Sequence, residues 1–261
     1  MATPRHVPRK RFGQHFLVDR GIVEGIVSAI DPQPGDHIVE IGPGLGALTE
    51  PLIARVGHLH AIELDRDLGA RLRERHSADR LTLHQADALR FDFAALPAPL
   101  RIVGNLPYNI STPLLFRAAA AATRCRDLHF MLQQEVVDRM VAKPSEPEYG
   151  RLSVMLQYRF RLERLFNVSP GAFRPQPKVH SAVVRLVPRP AEEVNASSEA
   201  DFFRLVAQAF SMRRKTLRNT LSGLISASDL AQLGIDPGKR AQDLPVAAFV
   251  TLANRIARRQ S

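Results

Sequence analysis

Tryptophan is absent from the 261-residue chain, and cysteine occurs once, as Cys125. A single thiol excludes an internal disulfide and any cysteine-rich zinc site. No stretch approaches the ~18 uninterrupted apolar residues that a membrane-spanning helix needs. The start of the chain, Met1 to Phe12, is basic but has neither an apolar run nor a cleavage site, so no signal peptide is expected. Acids are in deficit: 36 Lys and Arg face 26 Asp and Glu, a formal charge of +10. An excess of that size attracts polyanions. Aromatic residues make up only 6%, yet 45% of the chain is hydrophobic, which rules out a disordered polymer and supplies a core. At ~150 residues per domain, the length suits one large domain and a small one. The expected protein is cytoplasmic, free of membrane and paired with a polyanion.

Asp19 suits an N-cap, and Ile22, Val23, Ile26, Val27 and Ile30 follow at helical spacing. Beyond them, apolar runs at residues 37–41, 58–64, 81–85, 101–105 and 128–133 read as strands. Helical patterns near 47–54, 67–75 and 113–121 separate them. Strands alternating with helices imply right-handed crossovers and a parallel sheet covered on both faces. Residues 160–168 and 181–187 read as two further strands joined by the proline-rich loop 169–178, an antiparallel pair at the sheet edge. Residues 187–200 have linker composition, including the run Asn195-Ala196-Ser197-Ser198-Glu199. Past them, Phe203, Val206, Phe210, Leu217 and Leu221 form a helical stripe in which one turn holds Arg213 and Arg214. Pro245 opens a last helix bearing Phe249, Leu252 and Ile256.

The turn after the first of these strands reads Glu40-Ile41-Gly42-Pro43-Gly44-Leu45-Gly46. Glycines there let the backbone turn sharply and approach a bound cofactor. The spacing is G-x-G-x-G after an acid, not the dinucleotide G-x-G-x-x-G. Glu63 ends the second strand, where a carboxylate can chelate ribose hydroxyls. Asp87 follows the third. Three acids at successive strand ends favour a nucleoside-containing cofactor, and no phosphate-binding G-x-x-x-x-G-K-[ST] loop appears. S-adenosylmethionine fits, because its sulfonium cation tolerates acidic surroundings.

The fourth strand ends in Asn105-Leu106-Pro107-Tyr108. An adenine amine is a poor nucleophile because its lone pair is delocalised into the ring. The Asn105 side-chain oxygen and a backbone carbonyl near Leu106 can each accept one N6 hydrogen, holding the nitrogen tetrahedral with its lone pair aimed at a methyl group. Pro107 stiffens the turn, and Tyr108 can stack on a base drawn out of its helix. The amine sheds its proton after becoming cationic, so no general base is required.

With these residues the sequence resembles the ribosomal RNA adenine N6-dimethyltransferases, and among them the bacterial small-subunit enzymes. The resemblance is carried by Phe12–Leu17 (FGQHFL), Glu40–Gly46, Glu63, Asp87, Gly104–Thr112 (GNLPYNIST), Phe173–Ser181 (FRPQPKVHS) and Arg213–Leu221 (RRKTLRNTL). It runs from about residue 9 to 259. It implies a Rossmann-like α/β methyltransferase fold, mainly parallel with an antiparallel edge, over residues 1–188. A small helical RNA-binding domain would follow over 189–261. It implies S-adenosylmethionine contacts from His15, Leu17, Gly42, Gly44, Glu63, Asp87 and Asn105; relatives carry Asn or His at position 15, and contact there is expected through the backbone. It further implies, as target, two adjacent adenosines in a hairpin loop of 16S rRNA in the 30S subunit, each methylated twice. A monomer is expected. An RNA-binding assembly factor with secondary catalysis is the other reading, though an intact Asn105, Pro107, Tyr108, Glu63 and Asp87 speak for an enzyme.

Two basic clusters suit RNA phosphates: Arg9, Lys10 and Arg11 beside Arg5 in the N-terminal arm, and Arg213, Arg214, Lys215 and Arg218 on the first helix of the small domain. Phe173 is the candidate for a second stacking face opposite Tyr108. Cys125 reads as a buried strand residue rather than a nucleophile. The histidines show no metal-ligand spacing, His58 and His60 being surface or packing residues of a strand, and no metal is expected.

Overall fold

The computed structural model describes residues 14–260, so Arg9, Lys10 and Arg11 lie outside the described residues. The apolar runs form strands in which the chain alternates β and α: β1 (Phe16–Leu17), α1 (Arg20–Ile30), β2 (His37–Ile41), α2 (Thr49–Val56), β3 (Leu59–Glu63), α3 (Arg66–Arg75), β4 (Leu81–Gln85), β5 (Leu100–Asn105), α4 (Ser111–Ala120) and β6 (Cys125–Gln133). Then come α5 (Gln134–Val141), α6 (Arg151–Arg159), β7 (Phe160–Val168), β8 (Phe173–Arg174) and β9 (Ser181–Pro188). The last helices are α7 (Glu199–Ala209), α8 (Leu217–Thr220), α9 (Ala227–Gln232) and α10 (Val246–Gln260).

Two compact units result: the residues up to Val137 with Leu162–Pro188, and Asp138–Arg161 with Arg189 onward. The break between residues 188 and 189 coincides with the expected boundary, whereas residues 138–161, expected in the first domain, fall in the second unit. Helices α5 and α6 carried no sequence expectation at all.

In the first unit, a seven-stranded sheet has the order β4-β3-β2-β5-β6-β9-β7. The ladders joining β4, β3, β2, β5 and β6 are parallel, whereas β9 runs antiparallel to β6. From β2 the chain winds outward through β3 and β4, then returns to the other side of β2 for β5 and β6. The C-terminal ends of β2 and β5 thus flank the crevice where open parallel sheets bind ligands. Gly104 permits their close approach, since a Cβ there would lie 2.5 Å from the Ile41 carbonyl oxygen.

Asp19 caps α1 by accepting the Ile22 N–H at 3.1 Å. The buried residues of α1 and α2 share one core with Ile38, Leu59, Ala61, Val103, Met131 and Val183 of the sheet, and Phe173 lies in this same core. At the opposite end of the strands from the crevice, Arg101 is buried. Its Nε and Nη2 donate to both oxygens of Asp127, at 2.9 and 2.8 Å, and Nη1 donates to Asp36 at 2.7 Å. The remaining donors reach the Ile30 and Asp31 carbonyls at the end of α1.

In the second unit, Ser198 caps α7, which buries Phe202, Leu205, Val206 and Ala209. Of the expected stripe, Val206, Leu217 and Leu221 are buried, whereas Phe203 and Phe210 are only half-buried. The helix itself stops early. Ser211 donates both its N–H and its hydroxyl to the Gln208 carbonyl, tightening and ending the turn. On α10, Phe249, Leu252 and Ile256 are buried. No helix among the described residues is long and apolar enough to cross a membrane.

Candidate active site

Ten residues read as site residues line one cavity of about 350 Å³ at the crevice: His15, Leu17, Gly42, Gly44, Glu63, Asp87, Asn105, Leu106, Pro107 and Tyr108. They arrive from five places. The segment into β1 carries His15 and Leu17, and the turn after β2 carries the glycines. Glu63 ends β3, Asp87 follows β4, and Asn105 ends β5.

Gly42 takes φ +68, a left-handed conformation that favours glycine, and donates its N–H to the Ile62 carbonyl at 2.9 Å. The turn is thereby fastened to β3. Glu63 completes the fastening: one oxygen accepts the Gly44 N–H at 3.2 Å and the other the Asp65 N–H at 2.8 Å. Burial still raises this carboxyl above its ordinary range against those N–H groups. Asp87 accepts the Leu89 N–H at 2.9 Å, which fixes its carboxylate over the end of β4. Asn105 donates from Nδ2 to the His15 carbonyl at 3.0 Å. That donation orients the amide, turning Oδ1 away as an acceptor. The Tyr108 hydroxyl shares a 2.7 Å hydrogen bond with the buried Ser181 of β9.

Three expectations need correction. Phe173 is fully buried, because β8 pairs with β1 and turns its ring into the core. It offers no face opposite Tyr108. Arg213, Arg214 and Lys215 do not sit on a helix but in the exposed turn between α7 and α8, with Arg218 exposed on α8. Arg213 donates to the Pro147 carbonyl at 2.7 Å. Cys125 begins β6 and is half-buried rather than buried. Burial pushes its thiol up to about 12, so it is no nucleophile at neutral pH.

The histidines are more organised than their spacing suggests. His60 and His84 share a 3.1 Å hydrogen bond across β3 and β4, and His58 bonds Thr82 at 2.9 Å. Burial, then the neighbouring His58, His84 and His37, depress His60 to about 4. Among the described residues no group of His, Cys, Asp or Glu is arranged to hold a metal ion.

Sequence reasoning counted Glu40 among the strand-end acids but gave it no place in the site. It is fully buried behind the glycine turn, where it accepts the Thr49 hydroxyl at 2.6 Å. The acid before the first glycine was the available signal, and its hydroxyl partner at the start of α2 was not legible.

A family model described as ribosomal RNA adenine dimethylase matches residues 5–258. The chain belongs to the ribosomal RNA adenine dimethylase family. It is 63% identical over 252 residues to the ribosomal RNA small subunit methyltransferase A of Aromatoleum aromaticum, covering 97% of this chain and 95% of that one. The enzyme of the same name from Thiobacillus denitrificans is 61% identical over 254 residues, covering 97% and 100%. Among solved structures, a dimethyladenosine transferase from Plasmodium falciparum shares the fold at a TM-score of 0.84 and 24% identity, over 94% of this chain and 98% of that one. The 23S rRNA methyltransferase ErmE matches at a TM-score of 0.72 and 25% identity, over 93% and 99%. This dimethylase is thus an enzyme that methylates rRNA adenine with S-adenosylmethionine.

The cavity fits that cofactor. Its volume lies in the range of pockets that enclose a drug-sized ligand. Both oxygens of Glu63 retain acceptor capacity for ribose hydroxyls after their backbone bonds. Glu40 and Glu63 put two carboxyl groups beside a site for a cation. Burial, offset in part by Thr49 and reinforced by the charge of Glu63, pushes Glu40 up to about 7. A bound cation favours the ionised form. Cofactor affinity in this dimethylase is therefore expected to fall roughly tenfold between about pH 8 and pH 6, as Glu40 takes up its proton. Calorimetry across that range measures it, and Glu40→Gln should flatten the profile. A flat wild-type profile would refute the coupling.

Proposed function

We propose that this dimethylase transfers methyl groups to N6 of two adjacent adenosines in the 3′-terminal hairpin loop of 16S rRNA, giving N6-dimethyladenosines. The substrate is the 30S subunit or its precursor, met in the cytoplasm by a monomeric enzyme. The observation that carries this reading is the orientation of Asn105. With Nδ2 committed to the His15 carbonyl, Oδ1 is the atom that faces a donor, and an exocyclic amine is a donor with two hydrogens.

The cofactor supplies an electrophilic methyl group on a sulfonium sulfur. Asn105 Oδ1 and the Leu106 carbonyl each accept one N6 hydrogen, drawing the amine lone pair out of conjugation and along the line of attack. When bound, the cofactor would give up that methyl to N6, the S–C bonding pair staying on its sulfur. The nitrogen becomes cationic and releases a proton to water, which removes any need for a side-chain base. One hydrogen is left on N6 for a second cycle. Pro107 restricts the turn, and Tyr108 gives the extruded base a stacking face. Glu63 and Asp87 hold the nucleoside of the cofactor, with Gly42, Gly44, Leu17 and the His15 backbone closing around it.

The test is methyl transfer from labelled cofactor onto unmethylated small subunits, with the modified nucleotides mapped. Two neighbouring dimethyladenosines in the terminal loop are expected. Their absence, with RNA bound, would leave the assembly-factor reading.

RNA affinity in this proposal comes from phosphate contacts by Arg213, Arg214, Lys215 and Arg218, together with the arm residues Arg9, Lys10 and Arg11. Replacing Arg213, Arg214 and Lys215 by Ala should weaken RNA binding and reduce the log–log salt slope by roughly 0.7 to 0.9 per lost contact, with cofactor affinity unmoved. An unchanged slope would mean that this turn does not touch phosphate.

A further inference from the structure

With Phe173 in the core, Tyr108 faces a different ring. The imidazole of His15 lies against it, centroids 5.6 Å apart and planes 26° from parallel. Both rings line the cavity that holds Asn105. Three contacts fix His15: its Nδ1–H donates to the Pro175 carbonyl at 2.7 Å, its own carbonyl accepts from Asn105 at 3.0 Å, and the adjoining Phe16 pairs with Arg174. Tyr108 is held from its far end by the 2.7 Å bond to Ser181. The segment before β1 therefore has two separate attachments to the catalytic turn, one through its backbone and one through a side-chain ring.

We propose that the His15 side chain is a base-stacking residue of this enzyme, the target adenine lying between His15 and Tyr108 with its amine at Asn105. The inference rests on the adenine-methylating function proposed above. A base held between two rings needs them about 7 Å apart, twice the contact distance of aromatic carbons. With centroids 5.6 Å apart and planes 26° from parallel, the two rings stand closer than a sandwiched base requires. The rings must therefore move apart to admit the base. Ser181 pins Tyr108, so the movement falls to His15, whose ring is held by one exposed hydrogen bond to the loop carbonyl of Pro175. A single neutral bond of that kind is weak enough for stacking on a base to offset its loss. In the absence of RNA, each ring shields the apolar face of the other from water.

The test uses full-length protein saturated with S-adenosylhomocysteine and two RNA hairpins of the target loop, one with adenine and one abasic at the target position. The ratio of the two affinities isolates the base site from phosphate contacts. Wild type and His15→Phe should prefer the adenine hairpin alike, within about threefold. His15→Ala and His15→Asn should lose roughly 5- to 50-fold of that preference, the scale of one stacking partner. Calorimetry of each variant with S-adenosylhomocysteine sets the concentration that saturates it, so that any change at the cofactor stays out of the ratio. Should His15→Ala fail to hold that ligand, His15→Asn, which keeps a donor for Pro175, carries the comparison. The proposal falls if wild type is indifferent to the base, if His15→Asn matches wild type, or if His15→Phe is as impaired as His15→Asn. Methyl transfer by wild type to unmethylated small subunits separates these failures from a failure of the function itself.

Discussion

Replacing Asn105 by Ala should lower single-turnover methyl transfer by at least ~10²-fold, with RNA affinity within a few-fold of wild type. The side chain has two jobs at one amide. Nδ2 fastens the turn to the His15 carbonyl at 3.0 Å, and Oδ1 is left to accept from the target amine. The second contact strengthens as N6 leaves conjugation and its hydrogens become more acidic, so its loss falls on turnover. Loss of one aligned polar contact in a catalytic site typically costs 10²- to 10³-fold. Phosphate contacts dominate RNA affinity and do not involve this residue. Loss of the His15 attachment adds a smaller decrease in cofactor affinity, removed from the comparison by working at saturation. The measurement is single-turnover transfer at saturating cofactor and RNA, beside filter binding of the same RNA. Near-normal turnover would reduce Asn105 to a turn-shaping residue and remove the tetrapeptide from the mechanism.

The site was legible in sequence where its residues are fixed by strand ends. Glu63, Asp87 and Asn105 each close an apolar run, and period and polarity locate such ends without knowledge of the fold. The glycine turn was legible for a related reason, because a left-handed Gly42 and the contact-limited Gly104 leave few substitutes. Pairing over long distance was not legible. The bond of β1 to β8 joins Phe16 to Arg174, and no local pattern says that such a pairing turns Phe173 inward. An aromatic residue in a proline-rich loop looks the same whether it anchors the loop or awaits a base. At position 15 the backbone was expected at the cofactor, but the place of the ring against Tyr108 was not legible, because it depends on the loop carbonyl of Pro175. The basic cluster at 213–215 was misplaced onto a helix because the stripe continues numerically through Leu217 and Leu221. Ser211 ends that helix by local hydrogen bonding, an effect no hydrophobic period records. Residues 138–161 join the second unit because packing, not chain order, decides which core a helix serves.

Arg101→Ala should cost the first unit about 3–5 kcal/mol, the usual consequence of removing one partner from a buried ion pair. The guanidinium side chain is 4% exposed, as against 3% for Asp127 and 13% for Asp36. Its removal leaves Asp127 with neither of its 2.8 and 2.9 Å donors, and His129 Nδ1, at 3.8 Å, is too distant to replace them. Asp36 suffers less, since Arg126 remains at 3.2 Å. The Ile30 and Asp31 carbonyls at the end of α1 lose a donor as well. Both strands of the pair, β5 and β6, run toward the catalytic turn, but Arg101 and Asp127 lie at their far ends. Stability should therefore fall with the chemistry of the folded fraction intact. Amide hydrogen exchange in β5 and β6 reads the loss locally, and protection there should drop by at least ~10²-fold. A double replacement, Arg101→Met with Asp127→Leu, removes both charges at similar volume and should recover most of the loss. If the single variant keeps wild-type protection, water has replaced the guanidinium and the pair is not buried in solution.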